Sequence, residues 1–172
     1  MSQVPIWFGR EFDFSFPVEL LPNLSARLRG TPARLEELLR GVPHWILIRK
    51  TQGKWSVQEH AGHLLDLEPL WLARIEDYVK GSHQLTAADL TNRTTDEANY
   101  NAHSLEEVLA DFREARAKLL KRVDTVDQSL FARAISHPRL KKPMRFVDHV
   151  YFVAEHDDHH LARICELIST AR

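Results

Sequence analysis

Cysteine occurs once in the 172 residues, at Cys165, so no disulfide can form within the chain. No apolar run approaches the roughly 18 residues of a membrane span, and the opening stretch MSQVPIWFGREFDF carries charge where a signal peptide needs an unbroken apolar core. With the lone cysteine, these absences lead to the expectation of a cytoplasmic protein with no membrane partner. An excess of one charge is also missing: 23 Lys and Arg face 24 Asp and Glu, for a formal net charge of −1. That balance gives a phosphate backbone no broad electrostatic footprint, so nucleic acid is not an expected partner. Glycine and proline are few, 6 and 8, beside a hydrophobic fraction of 44%. Such a composition excludes fibrous and disordered classes and is enough for one core, so a single domain over residues 1–172 is expected. What the chain has in quantity is histidine, 10 residues, of which His156, His159 and His160 fall within five positions.

Residues 1–17 hold Trp7, Phe8, Phe12, Phe14 and Phe16, and the alternation FDFSF puts three rings on one side of an extended segment. The expectation is an aromatic arm laid across the body as core cover. From Leu24, the positions Leu24, Leu28, Leu35, Leu38 and Leu39 keep helical spacing, with a break expected at Gly30-Thr31-Pro32 and a stop at Gly41-Val42-Pro43. Ser56 to Glu59 reads as a capping box that opens a second helix running through Leu64, Leu67, Trp71 and Ile75 to about Lys80. Residues 81–103 are polar and aperiodic, a crossover or a partly helical excursion. Ser104 to Glu107 reads as a second capping box, and Val108, Phe112, Ala115, Leu119 and Val123 carry a third helix to about Asp124. After SHPRLKKPMRF, a fourth helix with Pro143 near its start buries Phe146, Val150, Val153, Ile164 and Leu167. No alternating strand of useful length follows Phe16, so the fold class expected is all-α, four helices around one core.

On the fourth helix Val153, His156, His160, Ile164 and Leu167 advance by three or four residues, which turns His156 and His160 inward. His159 lies about 100° away, on the flank. Two imidazoles one turn apart can hold one metal ion, and burying them in an apolar stripe is costly unless they are bonded or coordinated. A third ligand has to come from another helix, where His60 and His63 are available. Helical phase favours His60, nearer the Leu64-Leu67-Trp71 arc, but spacing alone leaves the choice open.

The stretch KWSVQEHAGHLLDLE, Lys54 to Glu68, together with AEHDDHH, Ala154 to His160, resembles the DinB-like (YfiT-type) superfamily of metal-binding four-helix bundles. The matching positions are Gly62-His63-Leu64 and His156 with His160. The resemblance implies an up-down-down-up bundle, usually a homodimer, and a divalent metal, usually zinc or nickel, held by His63, His156 and His160. It thus prefers His63 to the His60 that helical phase picks, leaving His60 as a proton carrier or a hydrogen-bond partner within the same pocket. Three imidazoles leave open coordination positions, as catalytic sites do.

Glu59, one turn before His63, could accept its other N–H or simply serve the capping box. Asp157 could act as a base near the site or stand as a solvated helix carboxylate, and Asp158 is expected to point outward. The basic run Arg139, Lys141, Lys142 and Arg145 could take an anionic group of a substrate or thiol cofactor at the pocket mouth, while Cys165 reads as a small core residue. Asp89, Asn92, Tyr100 and Asn101 could shape access. The activities that the resemblance implies are metal-dependent thiol S-transfer, related isomerisation and hydrolysis, with the metal activating a low-molecular-weight thiol or water against a small-molecule substrate. The alternative is a metal-binding stress or interaction protein without turnover.

Overall fold

The computed structural model describes residues 3–171. Its helices are α1 (Leu21–Leu39), the single turn α2 (His44–Leu47), α3 (Val57–Asp66), α4 (Glu68–Lys80), the short α5 (Arg93–Glu97), α6 (Leu105–Asp124) and α7 (Phe146–Ser169). Helix α1, the pair α3–α4, α6 and α7 are the four staves of a bundle. Side-chain contacts set their directions. Leu21 and Leu24 share one apolar cluster with Phe146 and Val150, and Leu35 and Leu39 share another with Leu161 and Ile164, so α1 and α7 run parallel. The pairs Gln58–His103, Glu68–Arg116 and Glu76–Arg122 rise together, so α3–α4 runs parallel to α6. Between α1 and α6 the pairs Glu36–Arg113 and Arg29–Asp124 run in opposite senses. The order is therefore up-down-down-up.

Two staves differ from the expectation. Helix α1 is continuous through Thr31-Pro32. Proline has no N–H for the carbonyl four residues earlier, and that carbonyl, on Leu28, instead accepts from Arg116 Nη1 at 3.2 Å. Thr31 is not a cap: its hydroxyl donates to the Asp157 carboxylate at 2.7 Å. The second stave, expected as one helix, is two. Pro69 sits in the first turn of α4, and Leu67 stands between the two helices as the C-cap of one and the N-cap of the next.

The Ser56 capping box is complete, with Glu59 N donating to the serine hydroxyl at 3.1 Å and Ser56 N donating to the Glu59 carboxylate at 2.7 Å. The second box is half made: Glu107 N reaches Ser104 Oγ at 3.4 Å, but that hydroxyl donates to Glu106 and no bond returns from Glu107. A two-stranded hairpin, β1 (Ala134–Ser136) with β2 (Pro143–Arg145), precedes α7 and takes Pro143 out of that helix. Strands of three residues are too short to register as alternation.

The arm lies along α7 as expected, with a 3₁₀ turn at Trp7–Gly9. Phe12 is buried, and Phe14 and Phe16 pack against Tyr151. Lys142 Nζ bonds the Phe12 carbonyl, and Arg145 Nη2 bonds those of Phe14 and Phe16 at 2.7 and 2.9 Å.

Buried apolar residues form two clusters. One gathers Leu21, Leu24, Leu28, Trp71, Tyr78, Leu119, Phe146 and Val150, the other Leu35, Leu39, Val57, Leu64, Phe112, Leu161 and Ile164. Every stave changes cluster at mid-length, and the residues at the change are polar and buried: Thr31, His63, Glu68, Arg116, His156, Asp157 and His160. No helix among the described residues is long and apolar enough to cross a membrane.

Candidate metal centre

The mid-bundle polar layer brings His63 of α3 together with His156 and His160 of α7. One ring nitrogen from each falls within 4.8 Å of the others, and all three side chains are buried. His156 and His160 face one way because they are four apart on an uninterrupted helix. Their Nε2 atoms stand 3.2 Å apart. Two nitrogens bound tetrahedrally to one zinc ion at 2.0–2.1 Å would be separated by about 3.3 Å, so the spacing suits a shared ion.

The nitrogens that point away from this centre are mostly held. His63 Nδ1 lies 2.9 Å from Thr95 Oγ1, and that hydroxyl donates to Asp66 at 2.7 Å, which leaves it to accept from the imidazole. The proton is thereby placed on Nδ1, and Nε2 is free to coordinate. Tyr100 OH donates to the other oxygen of Asp66. Its ring fits only because residue 62 is glycine: a Cβ there would collide with the Tyr100 ring atoms. His160 Nδ1 lies 2.9 Å from His60 Nδ1, while His156 Nδ1 has no partner.

Burial penalises the charged imidazole and lowers His60 to about 3 and His63 to about 4, and it holds His156 and His160 well below 6.5. All four are therefore neutral near pH 7, the form that binds metal. The cluster opens on a cavity of about 540 Å³ walled by Trp7, Trp55, Trp71 and Phe152. The arm thus supplies pocket wall as well as core cover.

The geometry groups His63 with the pair on α7 and puts His60 behind His160. Helical phase pointed to His60 along an arc that crosses Leu67, between α3 and α4. Glu59 is not a partner of His63, since its carboxylate is taken by Ser56 N and by Lys50 Nζ at 2.8 Å. Asp157 is neither solvated nor at the centre: fully buried, it accepts from Arg116 and Thr31. Asp158 faces α1, paired with Arg27 and Arg34. Cys165 is exposed.

Of the basic run only Arg139 lines the cavity. Lys142 and Arg145 hold the arm, and Lys141 occupies a left-handed turn with φ 54°. Their adjacency in sequence misleads because Arg139, Lys141 and Lys142 lie in the turn between β1 and β2, while Arg145 ends β2. From the crossover, Asp89 and Asn92 line the cavity, and Tyr100 and Asn101 do not. Thr95 and Asp66 were missed, because an isolated Thr in an aperiodic segment and a carboxylate at a helix end carry no signal in one sequence. Arg74 and His137, also in the wall, were hidden the same way.

A family model described as the DinB superfamily matches residues 27–164. Among solved structures, YfiT from Bacillus subtilis, described as a probable metal-dependent hydrolase with an unusual four-helix bundle topology, superposes with a TM-score of 0.79 at 19% identity over 92% of this chain and 91% of its own. A protein from Streptococcus pneumoniae gives 0.65 at 13% identity, with 91% of each chain covered. No curated protein matches significantly.

Proposed function

The chain belongs to the DinB superfamily, and from that premise we propose that His63, His156 and His160 hold a divalent metal, zinc or nickel, in an enzyme that activates water or a small thiol against a small-molecule substrate. The observation that carries this reading is the convergence of three neutral, buried imidazoles on one point beside a cavity. An ion held by three imidazoles keeps open positions, and it supplies Lewis acidity and a nucleophile at neutral pH. The protein's part is to fix the ligands. Thr95 and Asp66 orient His63, and Tyr100, seated on Gly62, orients Asp66. The tryptophans and Phe152 give the cavity an apolar wall. With Glu59 and Asp157 bonded elsewhere, His60 and His159, whose rings lie 5.1 and 5.2 Å from that of His160, are the histidines left beside the ligand set to move a proton.

The test is metal analysis of purified protein, then turnover of the loaded protein with water and with several thiols as nucleophile. One ion per chain, lost in His63→Ala, His156→Ala and His160→Ala, is the expected result. Unchanged metal content in the two α7 variants would overturn the assignment. Retention in His63→Ala with loss in His60→Ala would move the third ligand to His60.

A further inference from the structure

The cavity wall holds a second polar group besides the histidine cluster. Arg74 of α4 is 2% exposed, and Arg139 stands in the turn of the β1–β2 hairpin; both line the cavity. Among the described residues neither guanidinium is paired with a carboxylate, whereas the other buried arginine, Arg116, has two. Arg74 spends Nε on the Thr86 carbonyl at 2.9 Å. The two acids just after it in sequence are engaged elsewhere, Glu76 by Arg122 and Asp77 by Thr86 and Ser82. Arg139 Nη2 is buried with no hydrogen-bond partner. A buried cation without a counter-charge is costly, and an unfilled donor adds to that cost.

Between them stands His137, also buried. Its Nδ1 accepts the backbone N–H groups of Arg139 and Leu140 at 3.2 and 3.1 Å, so the ring proton sits on Nε2. That Nε2 faces Arg74 Nη1 at 3.2 Å. Both atoms are donors, since arginine has no acceptor. Two donors cannot bond each other; they can share an acceptor. The hairpin makes the arrangement rigid, because His137 N and O bond Lys142 O and Lys141 N at 3.0 Å each.

From this we infer that Arg74, His137 and Arg139 form an oxyanion subsite within the cavity, and that the substrate carries a carboxylate or phosphate joined through an apolar spacer to the group that reaches the histidines. The spacer is set by what lies between. Trp71 has Arg74 over its ring at 5.3 Å and the His156 ring at 5.5 Å. Phe152 has Arg139 at 5.7 Å and His137 at 5.2 Å, and Trp7 bridges from Phe152 to His156 at 5.2 and 5.0 Å. One aromatic ring separates cation from imidazole on the first route, and two on the second. The inference rests on the reading of this cavity as the substrate site, but not on a metal being bound.

The experiment uses the full chain, first without added metal, and follows the fluorescence of the cavity tryptophans on titration with hexanoate, hexyl phosphate, 1-hexanol and hexylamine. At least one anion is expected to bind about tenfold or more tighter than the alcohol, the worth of one charge-assisted contact; the tighter of the two identifies the oxyanion. The preference should fall toward unity in Arg139→Gln, whose side chain makes no hydrogen bond and can be lost without disturbing the frame, and in Arg74→Gln. Equal binding of anion and alcohol, tighter binding of the amine, or an undiminished preference in both variants would overturn the subsite. Repeating the titration after metal loading separates the two readings: anion preference without metal uptake leaves the subsite standing and removes the metal centre, and metal uptake without anion preference does the reverse.

Discussion

Neighbouring residues on α7 feed two polar groups with opposite characters. Asp157 joins Arg116 and Glu68, where all five guanidinium N–H groups are used: two bonds to each carboxylate and one to the Leu28 carbonyl that Pro32 leaves free. His156 joins His63 and His160, where the inward nitrogens meet one another and no proton donor or carboxylate completes them. Both groups are buried at the same height in the bundle. Every donor of Arg116 is filled, with Glu68 Oε2 alone left over, in the group that joins four staves, whereas the inward nitrogens of the histidines meet only one another. Burial alone does not distinguish them.

The largest break in this contrast is expected at Arg116. Arg116→Met strands Glu68 and Asp157 without their cation, and urea unfolding should show a loss of about 3–5 kcal/mol, the range for removing one member of a buried ion pair. His160→Ala, by contrast, should leave the metal-free protein folded. What it should lose is the gain from metal, which at a hundredfold excess over Kd is about 3 kcal/mol and is read as a rise in Tm on adding zinc. Thr95→Val tests the outer bond to His63 and should weaken metal affinity about 10–100-fold in a competitive chelator titration.

His149 offers a smaller, separate measure of what burial does to an imidazole. It is buried on α7, and desolvation lowers it to about 3. Because the unfolded chain titrates near 6.5, it binds more protons than the native state below that pH. Stability from this residue is therefore complete above about 6.5 and declines as pH falls, by about 2 kcal/mol at pH 5. Unfolding at pH 7 and pH 5 checks this, and His149→Gln should flatten the slope. The smallest effect is expected at Arg113–Glu36, bonded at 2.6 Å but with side chains half and more than a third exposed. Glu36→Gln should cost no more than about 0.5 kcal/mol, because solvent screens the pair.

Much of this was legible in the sequence, for reasons tied to particular residues. The inward turn of His156 and His160 follows from their spacing on one unbroken helix, and the Ser56 box announced where α3 starts. The parallel order of α3–α4 and α6 came with the family resemblance, not with periodicity. Asp157 was misread because a helical wheel knows one inner face, whereas α7 is packed by α1 on one side and by α3–α4 on the other. The continuity of α1 through Pro32 was out of reach, since the group that rescues the Leu28 carbonyl lies 88 positions away. Arg74 and His137 stayed hidden for the same reason: each becomes notable only beside the other.

The parallel run of α3–α4 and α6 has a consequence for how such a protein can change. Two parallel neighbours cannot be joined by a tight turn, so the chain between Lys80 and Leu105 must travel back along the outside, and its path passes the histidines. Asp89 and Asn92 face the cavity from this return path, and Thr95 and Tyr100 hold His63 from it. The three clustered histidines ride on the frame, where packing tolerates little substitution. Their orientation and much of the entrance ride on a connection that carries little of the core and has length to spare. Selection can therefore retune the site by rewriting a detour that the topology requires in any case, with the four staves left as they are.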